Sequence, residues 1–163
     1  LRERKQENKM DLADLIGPED VEVGFRATCK KQVLEDMAEA ASRKTGIDSQ
    51  EIFDTLVERE KLGSTGVGNG IAIPHGKLAS LESLVALVAI LDKPVDFDSV
   101  DDQPVDIVFM LLAPENAGAD HLKALARVAR VLREPDTLVK MREASEKSTV
   151  YELVTQTRTP FAA

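Results

Sequence analysis

The sequence predicts an α/β protein, a single three-layer domain in which a mixed β-sheet is flanked by helices on both faces. Two apolar runs, Leu84–Leu91 and Val105–Ala113, are rich in β-branched residues and bounded by turn signals, as strands buried on both sides are. Periodicity alone does not separate such runs from buried helix, so their length and branching decide it. Amphipathic stretches of helical period lie before and after them, and helices around buried strands need two sheet faces to pack on. At 163 residues, with 43% hydrophobic and 31% charged, the chain suffices for one compact domain burying roughly 70% of its unfolded surface. It has no internal repeat, low-complexity tract or dividing linker.

The elements follow in order. Val21 to Phe25 reads as a short strand. After Thr28 as N-cap, Val33, Leu34, Met37, Ala38 and Ala41 share one face of a helix that Gly46 ends. A second helix is capped by Asp48, with Glu51 at capping-box spacing and Ile47 and Ile52 as a hydrophobic staple. Ile52, Phe53, Leu56 and Val57 form its inner face, and it runs to about Glu60, leaving Arg59 on its last turn. Between the two apolar runs, Asp92-Lys-Pro94 reads as a turn and Val95–Asp98 as a short edge strand headed by Pro94. Asp120 is expected to cap a helix whose stripe is Leu122, Leu125, Ala126, Ala129 and Leu132, with His121 in the first turn. A further helix starts near Pro135 and a last one after Ser148 or Thr149, the latter with Glu152 at capping-box spacing.

Charge and composition narrow the function. Lys and Arg total 21 against 29 Asp and Glu, a net charge of -8, with no basic run that would track a phosphate backbone; this argues against nucleic acid and for a basic protein surface as partner. One cysteine, Cys29, excludes an internal disulfide and a Cys-rich metal centre, and it is expected to be a buried or half-buried structural thiol. No stretch reaches the roughly 20 apolar residues of a membrane span, and the charged start is unlike a signal peptide. These features point to a reduced, cytoplasmic protein with no direct membrane insertion. The charged opening, residues 1–10, reads as a flexible lead-in.

The densest chemical signal is Gly63-Ser-Thr-Gly-Val-Gly-Asn-Gly-Ile-Ala-Ile-Pro-His-Gly-Lys77. Its glycines permit positive φ or close backbone approach, and exposed amides there would suit an anion; a turn-rich hairpin without a ligand is the plainer alternative. The segment lacks the Gly-Lys-Ser/Thr ending of a nucleotide P-loop, and Ile71 stands where a dinucleotide fingerprint needs its last glycine. Leu62 stands where a nucleophile elbow around Ser64 needs its first.

Pro74 and Gly76 shift the balance towards chemistry, because a fixed φ on one side and an open approach on the other place His75 rigidly. Such a histidine serves as general base, metal ligand or nucleophile. With two histidines in the chain and no Cys-x-x-Cys or His-Glu-x-x-His array, a metal has the least support. Taken singly, His121 reads as a capping-region residue and Arg59 as a solvated helix-end charge. If folding brings them to His75, a nucleophile meets two donors for phosphate oxygens.

Four motifs resemble one family: Arg59-Glu-Lys-Leu-Gly-Ser-Thr-Gly66, Gly68-Asn-Gly-Ile-Ala-Ile-Pro-His-Gly-Lys77, Asp102-Gln-Pro-Val-Asp106 and the His121-Leu helix. These are similar to the enzyme IIA domains of the mannitol/fructose class of the bacterial phosphoenolpyruvate-dependent phosphotransferase system, most of all to its nitrogen-regulatory branch. The resemblance covers about Leu12 to Thr157, assigning residues 11–158 to the domain and 159–163 to a tail. It implies that His75 is phosphorylated, that Arg59 and His121 complete the phosphate site, and that Ser64, Thr65 and Gly76 support it. It implies no cofactor and no metal. The implied donor is a histidine phosphocarrier of the HPr or NPr type, and the implied targets are regulatory proteins such as sensor kinases or potassium-transport components. The alternative role is sugar-specific, passing phosphate to a fructose- or mannitol-type enzyme IIB. Because the sequence carries no permease or Cys-bearing enzyme IIB segment, a free-standing module is expected.

Overall fold

The computed structural model describes residues 11–156. The expected lead-in, residues 1–10, and tail, residues 159–163, lie outside the described residues, as do the last two positions assigned to the domain. Six strands form one mixed sheet: β1 (Val21–Phe25), β2 (Gly66–Gly68), β3 (Ile71–Ala72), β4 (His75–Leu78), β5 (Val85–Val95) and β6 (Val105–Pro114). Among the described residues five α-helices accompany it: α1 (Lys30–Thr45), α2 (Ser49–Lys61), α3 (Ala119–Val131), α4 (Pro135–Glu143) and α5 (Lys147–Thr155).

The sheet order is β1-β5-β6-β3-β2, with β4 also on β6. β5 and β6 are antiparallel, whereas β1 runs parallel to β5, and β3 and β4 run parallel to β6. Helices cover both faces, as the sequence predicts. On one face α1 and α2 press Val33, Leu34, Met37, Ile52 and Leu56 against Leu87, Ala89, Val108 and Met110. On the other, α3, α4 and α5 bring Ala124, Val128, Met141, Val150 and Val154 to Val88, Ile90, Ile107 and Phe109. Alternate residues of β5 and β6 thus enter opposite cores, which is why both runs are apolar without alternation.

Five local expectations are corrected. The first cap falls at Cys29, not Thr28, because Thr28 bonds Gln32 Oε1 through both its amide and its hydroxyl, at 2.8 and 2.9 Å. Cys29 is therefore exposed on the entry to α1 rather than buried. Asp48 does precede α2, but its side chain makes no cap bond and Glu51 points to solvent, so only the staple pair Ile47 and Ile52 enters the core. β5 runs on through Asp92–Pro94 to Val95, which pairs with Val105. The register shift between Ile90 and Val95 makes this a bulge, where the missing Pro94 amide breaks no ladder bond. The last helix opens after Glu146, so Thr149 and Glu152 lie inside it.

Candidate phosphate-accepting site

The glycine segment folds into a tight hairpin. Asn69 and Gly70 have φ of 58° and 79°, the left-handed pair that a two-residue turn between β2 and β3 requires. The Gly70 carbonyl accepts from the amides of Asp106 and Ile107 at 2.9 and 3.0 Å. Arg142 reaches over from α4, bonding the Asn69 carbonyl at 2.5 Å and the Asp106 carboxylate at 2.9 and 3.0 Å. The hairpin leaves little for an anion nest: the amides of Gly63, Thr65, Gly66 and Asn69 are committed to protein acceptors.

From the hairpin the chain runs beside β6 as β3 and β4, interrupted at Ile73–Pro74. Ile73 donates its amide to the Thr65 carbonyl at 2.9 Å, and the Pro74 carbonyl accepts from Leu111 at 2.9 Å. His75 follows, level with Leu111. Its Nδ1 lies 2.8 Å from the Ile73 carbonyl. A carbonyl can only accept, so Nδ1 carries the proton and Nε2 keeps its lone pair.

Gly76 brings α2 close. A Cβ there would stand 2.6 Å from Cγ2 of Thr55, so only glycine admits the helix at that distance. One turn beyond Thr55, Arg59 then lies over the histidine and donates from Nε to His75 Nε2 at 3.2 Å, with Nη1 on the Gly63 carbonyl at 2.8 Å. His121 approaches from α3, its ring centroid 5.7 Å from that of His75 and tilted by 48°.

The start of α3 differs from expectation. Gly118, with φ of 52°, is the N-cap, and Asp120 is the second helical residue. The buried face is His121, Ala124, Val128 and Leu132, while Leu122 is 67% exposed and Ala126 faces solvent. The imidazole, treated as polar in the sequence pattern, takes the place of an apolar residue and rotates the stripe. His121 is 6% exposed and its Nδ1 is enclosed without a hydrogen-bond partner among the described residues. A proton there would be stranded, which leaves it on Nε2.

Burial pushes the His75 imidazole below the ordinary histidine value; the Ile73 carbonyl opposes this, Arg59 adds to it and Glu60 opposes it. Burial also lowers His121, with the charges of His75 and Lys77 acting in the same direction. Both rings are consequently neutral at pH 7, the state a nitrogen nucleophile and a neutral hydrogen-bond donor require.

Arg59, His75 and His121 come together. Ser64 and Thr65 face elsewhere: the Ser64 hydroxyl donates to the Phe97 carbonyl at 2.6 Å, and the Thr65 hydroxyl donates to the Glu60 carboxylate. Glu60 and Arg142 were not singled out in the sequence, because an acid or a base on a helix reads as surface until its partner is known. Among the described residues no cluster of His, Cys, Asp or Glu has the arrangement of a metal site, and no helix is long and apolar enough to cross a membrane.

A mixed sheet with a histidine held at the start of a strand beside an arginine and a second histidine defines a class, and comparison with known proteins gives its name. Residues 14–157 match the family described as phosphoenolpyruvate-dependent sugar phosphotransferase system, EIIA 2, and the chain belongs to that family. Within it, the chain is 50% identical over 145 residues to a nitrogen regulatory protein of Bradyrhizobium diazoefficiens, covering 89% of this chain and 95% of that one. It is also 37% identical over 125 residues to a fructose-specific EIIA component of Haloferax volcanii, covering 77% and 80%. The crystal structure of nitrogen regulatory protein IIA-Ntr from Neisseria meningitidis superposes with a TM-score of 0.85 at 30% identity, over 88% of this chain and 99% of that one.

Proposed function

We propose that this protein is a cytoplasmic phosphohistidine carrier that accepts a phosphoryl group on Nε2 of His75 from a histidine-phosphorylated carrier of the HPr or NPr type, and that its phosphorylation state regulates other proteins. The observation that carries the reading is the His75 ring: Nδ1 is tied to a carbonyl, and the unprotonated Nε2 accepts from an arginine. In the transfer, Arg59 turns its N–H from Nε2 to the incoming phosphoryl oxygens, the released Nε2 lone pair attacks phosphorus in line, the donor's N–P bond breaks, and its electron pair returns to the donor ring. Nδ1 keeps its proton, so the product ring is cationic beside the Ile73 carbonyl. Arg59 compensates charge on the equatorial oxygens, and His121 donates from Nε2. Ser64 and Thr65 support the site by shaping its loop, and Gly76 by admitting α2. No nucleotide or metal enters the scheme.

The similarity to nitrogen regulatory proteins over nearly the whole chain supports the regulatory role. Sensor kinases and potassium-transport components are target classes to test. A second reading, relay to a fructose- or mannitol-type enzyme IIB, draws support from the fructose-specific relative. Mass spectrometry after incubation with a phosphorylated carrier tests the shared step: one acid-labile phosphoryl group is expected, absent from His75→Ala. Equal labelling of His75→Ala would refute it. Binding of the two forms to a sensor kinase, set against transfer to an enzyme IIB, separates the roles.

A further inference from the structure

We infer that Glu60 is a positioning residue for the acceptor histidine: its buried carboxylate anchors Thr65, and Thr65 fixes the backbone that holds the His75 imidazole. The inference rests on reading His75 as the phosphoryl acceptor and adds the device that keeps Nδ1 protonated and Nε2 unprotonated.

The Glu60 side chain is 6% exposed although it sits on the last turn of a surface helix. Enclosing a carboxylate is costly unless its oxygens are satisfied. Here Oε1 accepts from the Thr65 amide at 3.1 Å and pairs with Lys30 Nζ at 2.8 Å, while Oε2 accepts from the Thr65 hydroxyl. One carboxylate thus joins α1, the end of α2 and the opening of the glycine hairpin. Thr65 is itself 3% exposed, so water cannot readily substitute for these bonds.

From Thr65 the route to the imidazole is short. Its carbonyl accepts from the Ile73 amide at 2.9 Å, and the Ile73 carbonyl accepts from His75 Nδ1 at 2.8 Å. Only Pro74, with its fixed φ, lies between Ile73 and His75. Glu60 also directly follows Arg59, so one helical turn delivers the guanidinium to Nε2 and the anchor for the acceptor of Nδ1. Two contacts on opposite nitrogens of one ring are therefore set by a single rigid element.

Charge acts in the same sense. The charged and titratable groups acting on His75 are Arg59 and Glu60 from α2, with His121 from α3 beside the ring, Lys77 acting on His121, and Lys30 from α1 held on Glu60. Glu60 is the one carboxylate among them, and it favours the cationic ring that exists once Nε2 carries phosphorus and Nδ1 keeps its proton. An arginine alone would oppose that ring; the adjacent buried acid offsets it.

The test needs no phosphodonor for its first reading. In protein labelled with 15N-histidine, the Nδ1–H tautomer of His75 should dominate in the native chain. In Glu60→Gln the second tautomer should become populated and the His75 pKa should fall further, because the carboxylate that raises it is gone. Transfer from a phosphorylated carrier should slow by up to about 100-fold, the scale of a slightly misplaced reacting atom. Glu58→Gln, an exposed acid on the same helix paired with Lys61, should change none of these. A folded Glu60→Gln with the native tautomer and pKa overturns the inference. Should that variant fail to fold, Thr65→Val carries the same test, and a native tautomer there overturns it equally. If the tautomer shifts while His75 never accepts phosphate, the positioning role stands and the proposed function fails.

Discussion

Replacing Arg59 by Met removes the guanidinium while keeping an unbranched stem on α2. In the free protein Arg59 gives one bond to His75 Nε2 at 3.2 Å and one to the Gly63 carbonyl at 2.8 Å, both at a partly exposed helix end. Fold stability should change little. The loss falls on transfer, because the guanidinium next to the attacking nitrogen is where the equatorial phosphoryl oxygens arrive. A charge-assisted contact is worth about 1.5 to 3 kcal/mol, which is roughly 10- to 100-fold in rate. Arg59→Lys should recover part of this, since an ammonium supplies charge without the planar fork. Rapid-quench measurement of single-turnover transfer from a phosphorylated carrier reads the effect, with thermal unfolding as the control. A folded Arg59→Met that transfers at the native rate would refute the assigned phosphate site.

Other outcomes follow from the same geometry. His121→Ala should slow transfer while leaving the label on His75. Gly76→Ala should cost about 1 to 3 kcal/mol of stability by forcing Thr55 and α2 outward, and Thr55→Ser in the same chain should restore part of it; thermal melts of the single and double variants check this. Both histidines are held below 6.5 when folded, so the unfolded chain binds more protons as pH falls through that value. Stability is therefore complete above about pH 6.5 and declines below it until the folded values are passed; urea titrations should show a shallower decline in His75→Gln. Phosphorylation should act locally, placing about -1.5 to -2 charges on the phosphoryl oxygens over a ring made cationic by the retained Nδ1 proton: amide shifts should cluster at residues 59–77 and 121, and widespread shifts through β5 and β6 would contradict this.

Where the sequence states a backbone requirement, it is legible. Gly46 ends α1 with φ of 79°, Pro135 opens α4, and Val105–Ala113 is a strand because its length and branching leave no better choice. The grouping of Arg59, His75 and His121 was legible through motif resemblance, since no spacing rule joins residues so far apart. Other features needed the third dimension. The inner face of α3 is not legible in the sequence, because alanines on both sides leave the stripe ambiguous and the buried histidine resolves it only once its partner is known. Cys29 was expected inside because free thiols usually are, but the helix begins one residue later than its expected cap implies. Glu60 was hidden for the opposite reason: its enclosure comes from Lys30 and Thr65, which approach from two other segments.

The Ile73 carbonyl ties Nδ1 of His75, which leaves Nε2 as the proposed acceptor. NMR of the phosphorylated protein with 15N-labelled histidine decides this, because coupling to 31P identifies the bonded nitrogen. Phosphorus is expected on Nε2 of His75, with Nδ1 still protonated. Coupling to Nδ1, or to either nitrogen of His121, would contradict it.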